Sequence, residues 1–180
     1  MSLKRIVITG GPGTGKTSII NELIQRNHTC LEEVSRQVTL EAQKKGIDQL
    51  FLTEPLLFSD LLLKGRIEQY DSVKSSTRGA FFFDRGIPDI VAYMDYLGTE
   101  YPERFVNSCK EYIYDCVFIL SPWQEIYVSD NERYENFDQA LVIHDHLVKS
   151  YTNYGYKLHD VPFGSVNSRT EFILDLAASL

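Results

Sequence analysis

The run Gly10-Gly11-Pro12-Gly13-Thr14-Gly15-Lys16-Thr17 constrains this chain more than any other feature. It fits the phosphate-loop pattern of Gly, four free positions, then Gly-Lys-Thr. Glycines let the backbone curl so that successive N–H groups point inward at phosphate oxygens. Lys16 then reaches the β- and γ-phosphates, and the Thr17 hydroxyl ligates Mg²⁺. Residues 4–9, Lys-Arg-Ile-Val-Ile-Thr, read as a buried parallel strand before the loop. Residues 18–24 read as the start of a helix after it, whose N-terminal dipole favours bound anions. The expected nucleotide cradle is Gly10, Gly11, Pro12, Gly13, Thr14, Gly15, Lys16, Thr17 and Ser18.

The rest of the chain fits that start. Its 180 residues suit one domain over 1–180, and 43% hydrophobic with 24% charged residues is an ordinary globular balance. The net charge of −7, with no long Lys/Arg run, argues against non-specific nucleic-acid or anionic-membrane binding. Cys30, Cys109 and Cys116 form no CxxC pair and are expected to be reduced, as in the cytoplasm. No apolar stretch approaches membrane length, and no signal peptide is expected. Apolar runs at 29–32, 80–83, 116–120 and ending at 161–162 read as further strands. Helical patterns fall at 16–25, 35–45, 55–74, 88–97, 102–112, from about 138 through 151, and 169–180. Such alternation implies α/β architecture, a parallel sheet covered on both faces, with ligands at the carboxyl ends of the strands.

That geometry selects further residues. Asp84 and Arg85 end the Phe81-Phe82-Phe83 strand, beside the expected loop. Asp84 can hold Mg²⁺ through water or take the proton of an attacking hydroxyl; Arg85 can fork onto phosphate oxygens. The alternative for Asp84 is a cap on the next helix. Glu33 and Arg36 follow the second strand. Glu33 could accept an acceptor's sugar hydroxyl and Arg36 touch its phosphate or the transferring group, or the two could simply pair along a helix face. Asp89 either caps a helix or contacts substrate. Arg133 lies in the polar stretch 130–138, within a lid segment expected over about 122–147, where it would close on the phosphates or sit exposed and paired. His144 and His146 point to different helix faces and make a poor metal pair. Tyr151, Tyr154 and Tyr156 read as core and edge aromatics.

The loop, Glu33-Val34-Ser35-Arg36, the run Phe83-Asp84-Arg85-Gly86-Ile87-Pro88-Asp89 with Ala92-Tyr93, Asp130-Asn131-Glu132-Arg133, and Tyr154-Gly155-Tyr156 to Arg169 together resemble one family. It is that of the small AAA-type P-loop ATPases related to the ribosylnicotinamide-kinase domain of the bacterial NAD-synthesis regulator. The resemblance implies a three-layer P-loop fold whose five parallel strands run in the kinase-type order 2-3-1-4-5. A true AAA+ motor fits poorly. Its water-polarising Glu would follow the strand-end Asp, where this chain has Arg85. The function expected is transfer of the γ-phosphate of ATP (or GTP), with Mg²⁺, to a small nucleoside- or nucleotide-like hydroxyl acceptor. The catalytic set would be Lys16, Asp84, Arg85 and Arg133, with Thr17 and Asp84 for the metal. The alternatives are a nucleotide-dependent switch with slow hydrolysis, and a degenerate binding protein.

Overall fold

In the computed structural model the described residues are 2–47, 49–74, 78–127 and 136–180. Strand β1 (Leu3–Gly10) leads through the loop into α1 (Lys16–Gln25). Then come β2 (Thr29–Leu31), α2 (Val34–Lys44), the short α3 (Leu50–Thr53), α4 (Pro55–Ser72) and β3 (Gly79–Asp84). The second half runs α5 (Ile87–Leu97), α6 (Glu103–Glu111), β4 (Cys116–Leu120), α7 (Phe137–Asn153), β5 (Leu158–Asp160) and α8 (Val166–Ala178). The strands form one parallel sheet in the order β2-β3-β1-β4-β5, as expected.

Both sheet faces are buried, which is why the strands carry unbroken apolar runs. Along β1, Ile6 and Ile8 pack on one side with Ile19 and Leu23 of α1 and Ile173 of α8. Val7 faces the other side with Phe83, Val117 and Tyr151. The same alternation splits Phe82 from Phe83 and Phe118 from Val117. The chain leaves β1 for β2 and β3 on one side, then returns to β4 and β5 on the other. Its carboxyl end is therefore the switch point where a crevice opens. Register places Asp84 beside Ile8 and Leu120 beside Gly10, so β3 and β4 both end at the loop.

Three boundaries differ from expectation. Helix α8 begins at Val166 rather than 169, because Ser165 caps it by accepting from the Ser168 amide at 3.1 Å. Helix α3 carries too few residues for a periodic signal. Residues 137–147 of the expected lid are the first part of α7, capped reciprocally by Asn136 and Gln139, with Ala140, Ile143 and Leu147 buried. Residues 128–135 of that segment, Arg133 included, lie outside the described residues.

Candidate functional site: a phosphate loop between two charged flanks

Gly13 and Gly15 have φ of 72° and 80°, the left-handed region that the curl of the loop requires. Both also permit close packing. A Cβ on Gly13 would lie 2.4 Å from the Tyr127 ring, and one on Gly15 would lie 2.8 Å from Nη1 of Arg169. Thr14 is buried and its hydroxyl donates to the Gly11 carbonyl at 3.0 Å, closing the loop on itself. Helix α1 starts directly at Lys16, so the amides of its first turn have no helical acceptor. The side chains of Thr17 and Ser18 are exposed there.

Lys16, only 6% exposed, forms an ion pair with Asp84 and lies 3.6 Å from Glu33. Arg85 donates through Nε to Glu33 at 2.7 Å and through Nη1 to Asp89 at 3.2 Å. Its guanidinium sits 5.4 Å from the Tyr93 ring centre. Arg85 holds φ at 72°, a left-handed conformation that costs a residue with a Cβ about 1 kcal/mol or more. The surroundings hold it there. The Arg85 amide donates to the Ile8 carbonyl at 3.1 Å, and Arg66 donates to the Gly86 carbonyl at 2.6 Å. Asp89 accepts from the Gly86 amide at 3.0 Å, from the Thr9 hydroxyl at 2.6 Å and from the Tyr151 hydroxyl at 2.5 Å. Burial would push the Glu33 carboxyl up, but Arg85 and Lys16, with the Ser35 hydroxyl, hold it well below the usual carboxylate range. Burial, then the neighbouring Asp89 carboxylate, pushes the Tyr151 phenol well above its ordinary value, so it stays a donor.

The geometry sorts the expected residues. Asp84 and Arg85 do meet Lys16 and Glu33 at the loop. Asp84 is not a helix cap, since Gly86 and Asp89 form the capping pair of α5. Glu33 pairs across the sheet edge with Arg85 rather than along its helix with Arg36, which is exposed and without an ion pair among the described residues. Asp89 had two roles open, helix cap or substrate contact. It has no exposed surface and both of its oxygens are occupied, so capping is the alternative its geometry supports. His144 is half-buried, with burial holding its imidazole below its ordinary value, and His146 packs on the Tyr96 ring.

Sequence reasoning missed Thr9, Tyr151 and Arg169. Thr9 abuts the loop, which was a usable signal. Tyr151 reaches Asp89 across 62 residues of chain, and no local pattern announces that. Arg169 lies in the first turns of α8, 2% exposed, and donates through Nη2 to the Thr14 carbonyl at 3.0 Å.

The model of a family described as an AAA domain matches residues 5–169. The chain belongs to this AAA-domain family. No curated protein sequence matches it. Solved structures with the same fold include deoxyadenosine kinase from M. mycoides with dCMP and dCDP bound, at TM-score 0.73 and 14% identity, covering 98% of this chain and 100% of that one. Thymidylate kinase from Candida albicans aligns at TM-score 0.71 and 14% identity, covering 99% and 92%. The NadR protein in complex with NR aligns at TM-score 0.73 and 17% identity, covering 98% of this chain and 49% of that one, so the likeness spans about half of NadR. In this AAA-domain protein the matched region closes on Arg169, the residue that returns from α8 to touch the loop. No helix among the described residues is long and apolar enough to cross a membrane.

Proposed function

We propose that this protein transfers the γ-phosphate of ATP to the hydroxyl of a nucleoside- or nucleotide-like acceptor. One observation carries the reading: Lys16, Asp84, Glu33 and Arg85 converge at the mouth of the phosphate loop, two cations interleaved with two carboxylates. A hydrolase needs a polarised water at that place. Here the strand-end carboxylate is followed instead by a part-buried arginine that faces Glu33. That structural neighbours are a deoxyadenosine kinase and a thymidylate kinase adds to the expectation.

Each group then has a task. The loop amides and Lys16 would hold the β- and γ-phosphates. The hard oxygen donors available for Mg²⁺ fit that ion: the Thr17 hydroxyl, exposed at the start of α1, and the Asp84 carboxylate, acting through water. Bound there, Mg²⁺ would neutralise phosphate charge. Glu33, kept ionised by its two cations, would accept the hydrogen bond of a neighbouring sugar hydroxyl of the acceptor. The attacking hydroxyl would give its proton to the Asp84 carboxylate as its oxygen bonds to the γ-phosphorus and the β,γ-bridging bond breaks, releasing ADP. Arg85 would turn from Glu33 and Asp89 toward the transferring group and offset its charge. Arg36, exposed one turn beyond Glu33, is placed for an acceptor phosphate. Catalysis of this kind rests on positioning and electrostatics. The three cysteines are free, and with no membrane-crossing helix among the described residues a cytoplasmic enzyme is the fitting assignment.

The test is ADP release from Mg²⁺·ATP against a panel of deoxynucleosides, nucleoside monophosphates and ribosylnicotinamide, with products identified by mass. Acceptor-dependent ADP and a phosphorylated product, both lost in Lys16→Ala, are expected. ADP release that ignores every acceptor and yields no phosphorylated product would replace the kinase reading with a hydrolytic switch.

A further inference from the structure

The two flanks of the loop differ in charge balance. Lys16 and Arg85 have carboxylate partners. Arg169 has no carboxylate within ion-pair distance among the described residues. It is 2% exposed, and its Nε has no hydrogen-bond partner there. What it does have is the Thr14 carbonyl at 3.0 Å and the Trp123 ring, whose centre lies 5.9 Å away. Burial without a compensating anion lowers its pKa, though a guanidinium stays charged. A buried, unbalanced cation is costly, and one acceptor and one aromatic face offset only part of that cost. Gly15 is what allows the approach, because any Cβ there would meet Nη1.

We infer that Arg169 is a further binding residue for the polyphosphate of the nucleotide, held uncompensated against the outer wall of the phosphate loop. The inference rests on the triphosphate half of the proposed function. Two physical effects carry it. The guanidinium, 2% exposed, sits on the Thr14–Gly15 peptide that walls the loop, where burial leaves its charge weakly screened. Its hydrogen bond to the Thr14 carbonyl also polarises the Thr14–Gly15 peptide, which makes the Gly15 N–H a stronger donor. An arriving triphosphate supplies the missing negative charge.

Titration of the full chain with Mg²⁺·ATP and with Mg²⁺·tripolyphosphate, which has the phosphates but no base, tests this. Arg169→Met should lower affinity for both by about tenfold, while the free protein melts no lower than wild type. Arg169→Lys keeps the charge and should retain most of the affinity; it also serves if the methionine variant does not fold. Unchanged affinities, or a loss for ATP alone, overturn the inference, the latter by placing Arg169 at the base. A lysine variant as weak as the methionine one overturns the charge argument. Lys16→Ala, run alongside, separates the two readings. If it still binds tripolyphosphate the proposed function fails in its own right, whereas loss there with Arg169→Met unaffected removes only the role of Arg169. A wild-type chain that binds neither ligand overturns both.

Discussion

The sheet-side flank of the phosphate loop and the α8-side flank put arginines under opposite conditions. On the sheet side, Arg85 and Lys16 are locked among Glu33, Asp84 and Asp89, and even a left-handed Arg85 is held by three hydrogen bonds, to Glu33, Asp89 and the Ile8 carbonyl. On the α8 side, Arg169 is buried like Asp84 but, among the described residues, faces a carbonyl and an indole. A balanced cluster is preorganised in the free protein, and in the proposed reaction its groups exchange partners when substrates arrive. An unbalanced cation has nothing to exchange and gains directly from an incoming anion. The contrast teaches that burial alone does not identify a functional charge; the identity of its partners does.

The largest break in this comparison comes from Asp89→Ala. It strips Arg85, Thr9 and Tyr151 of their common acceptor and leaves the Gly86 amide open. Loss of one partner from a buried network costs about 3–5 kcal/mol, or about 10 °C in Tm for a chain of this size. Differential scanning calorimetry reads it; a shift under about 2 °C would mean that the capping network is not what holds this turn.

Next in size is Asp84→Asn, which should cut phosphoryl transfer by about a hundredfold, equivalent to about 2.7 kcal/mol in the barrier. Glu33 still balances Lys16, so the melting temperature should move less than for Asp89→Ala. Steady-state turnover and melting of the same preparation decide it, and retained turnover removes Asp84 from the chemistry.

Tyr151→Phe sharpens the comparison by deleting one hydroxyl and keeping the ring. The buried Asp89 loses a donor worth about 2 kcal/mol, measurable by urea denaturation. Mg²⁺·ATP affinity should hold, because Tyr151 supports the flank of Arg85 and not the loop. A nucleotide affinity that falls with it would show the two flanks to be coupled.

The smallest effect is in pH. The Glu33 pKa is depressed on folding, so its contribution to stability is full above the unfolded value of about 4.3 and is lost as pH falls toward the lower folded value. Wild type should lose more stability than Glu33→Gln between pH 6 and pH 3, and parallel curves would contradict the ion-pair geometry.

Short-range physics made much of this molecule readable in advance. The curl at Gly13 and Gly15, the helix beginning at Lys16 and the apolar strands 80–83 and 116–120 depend on neighbouring residues and on the period of burial, both of which are written along the chain. The strand order came from resemblance to a family, since nothing local says which strands are adjacent. The site divides in the same way. Lys16, Thr17, Asp84 and Arg85 stand out because the loop and the end of a buried strand are local signals. Glu33 could be selected by its place after β2, but its choice of Arg85 over Arg36 is a cross-sheet decision. Asp89 carried two open roles until Thr9, Gly86 and Tyr151 were seen to close around it. Arg169 stood in the sequence as the end of a family-resembling stretch, with no local sign of its place: a guanidinium 155 residues from Thr14 becomes part of the loop because α8 packs against α1 beneath it. Sequence by itself determined the elements and the chemistry of the loop. Which charges are neutralised and which stand open was decided by tertiary packing, because electrostatic energy depends on distance and burial in space and not on separation along the chain.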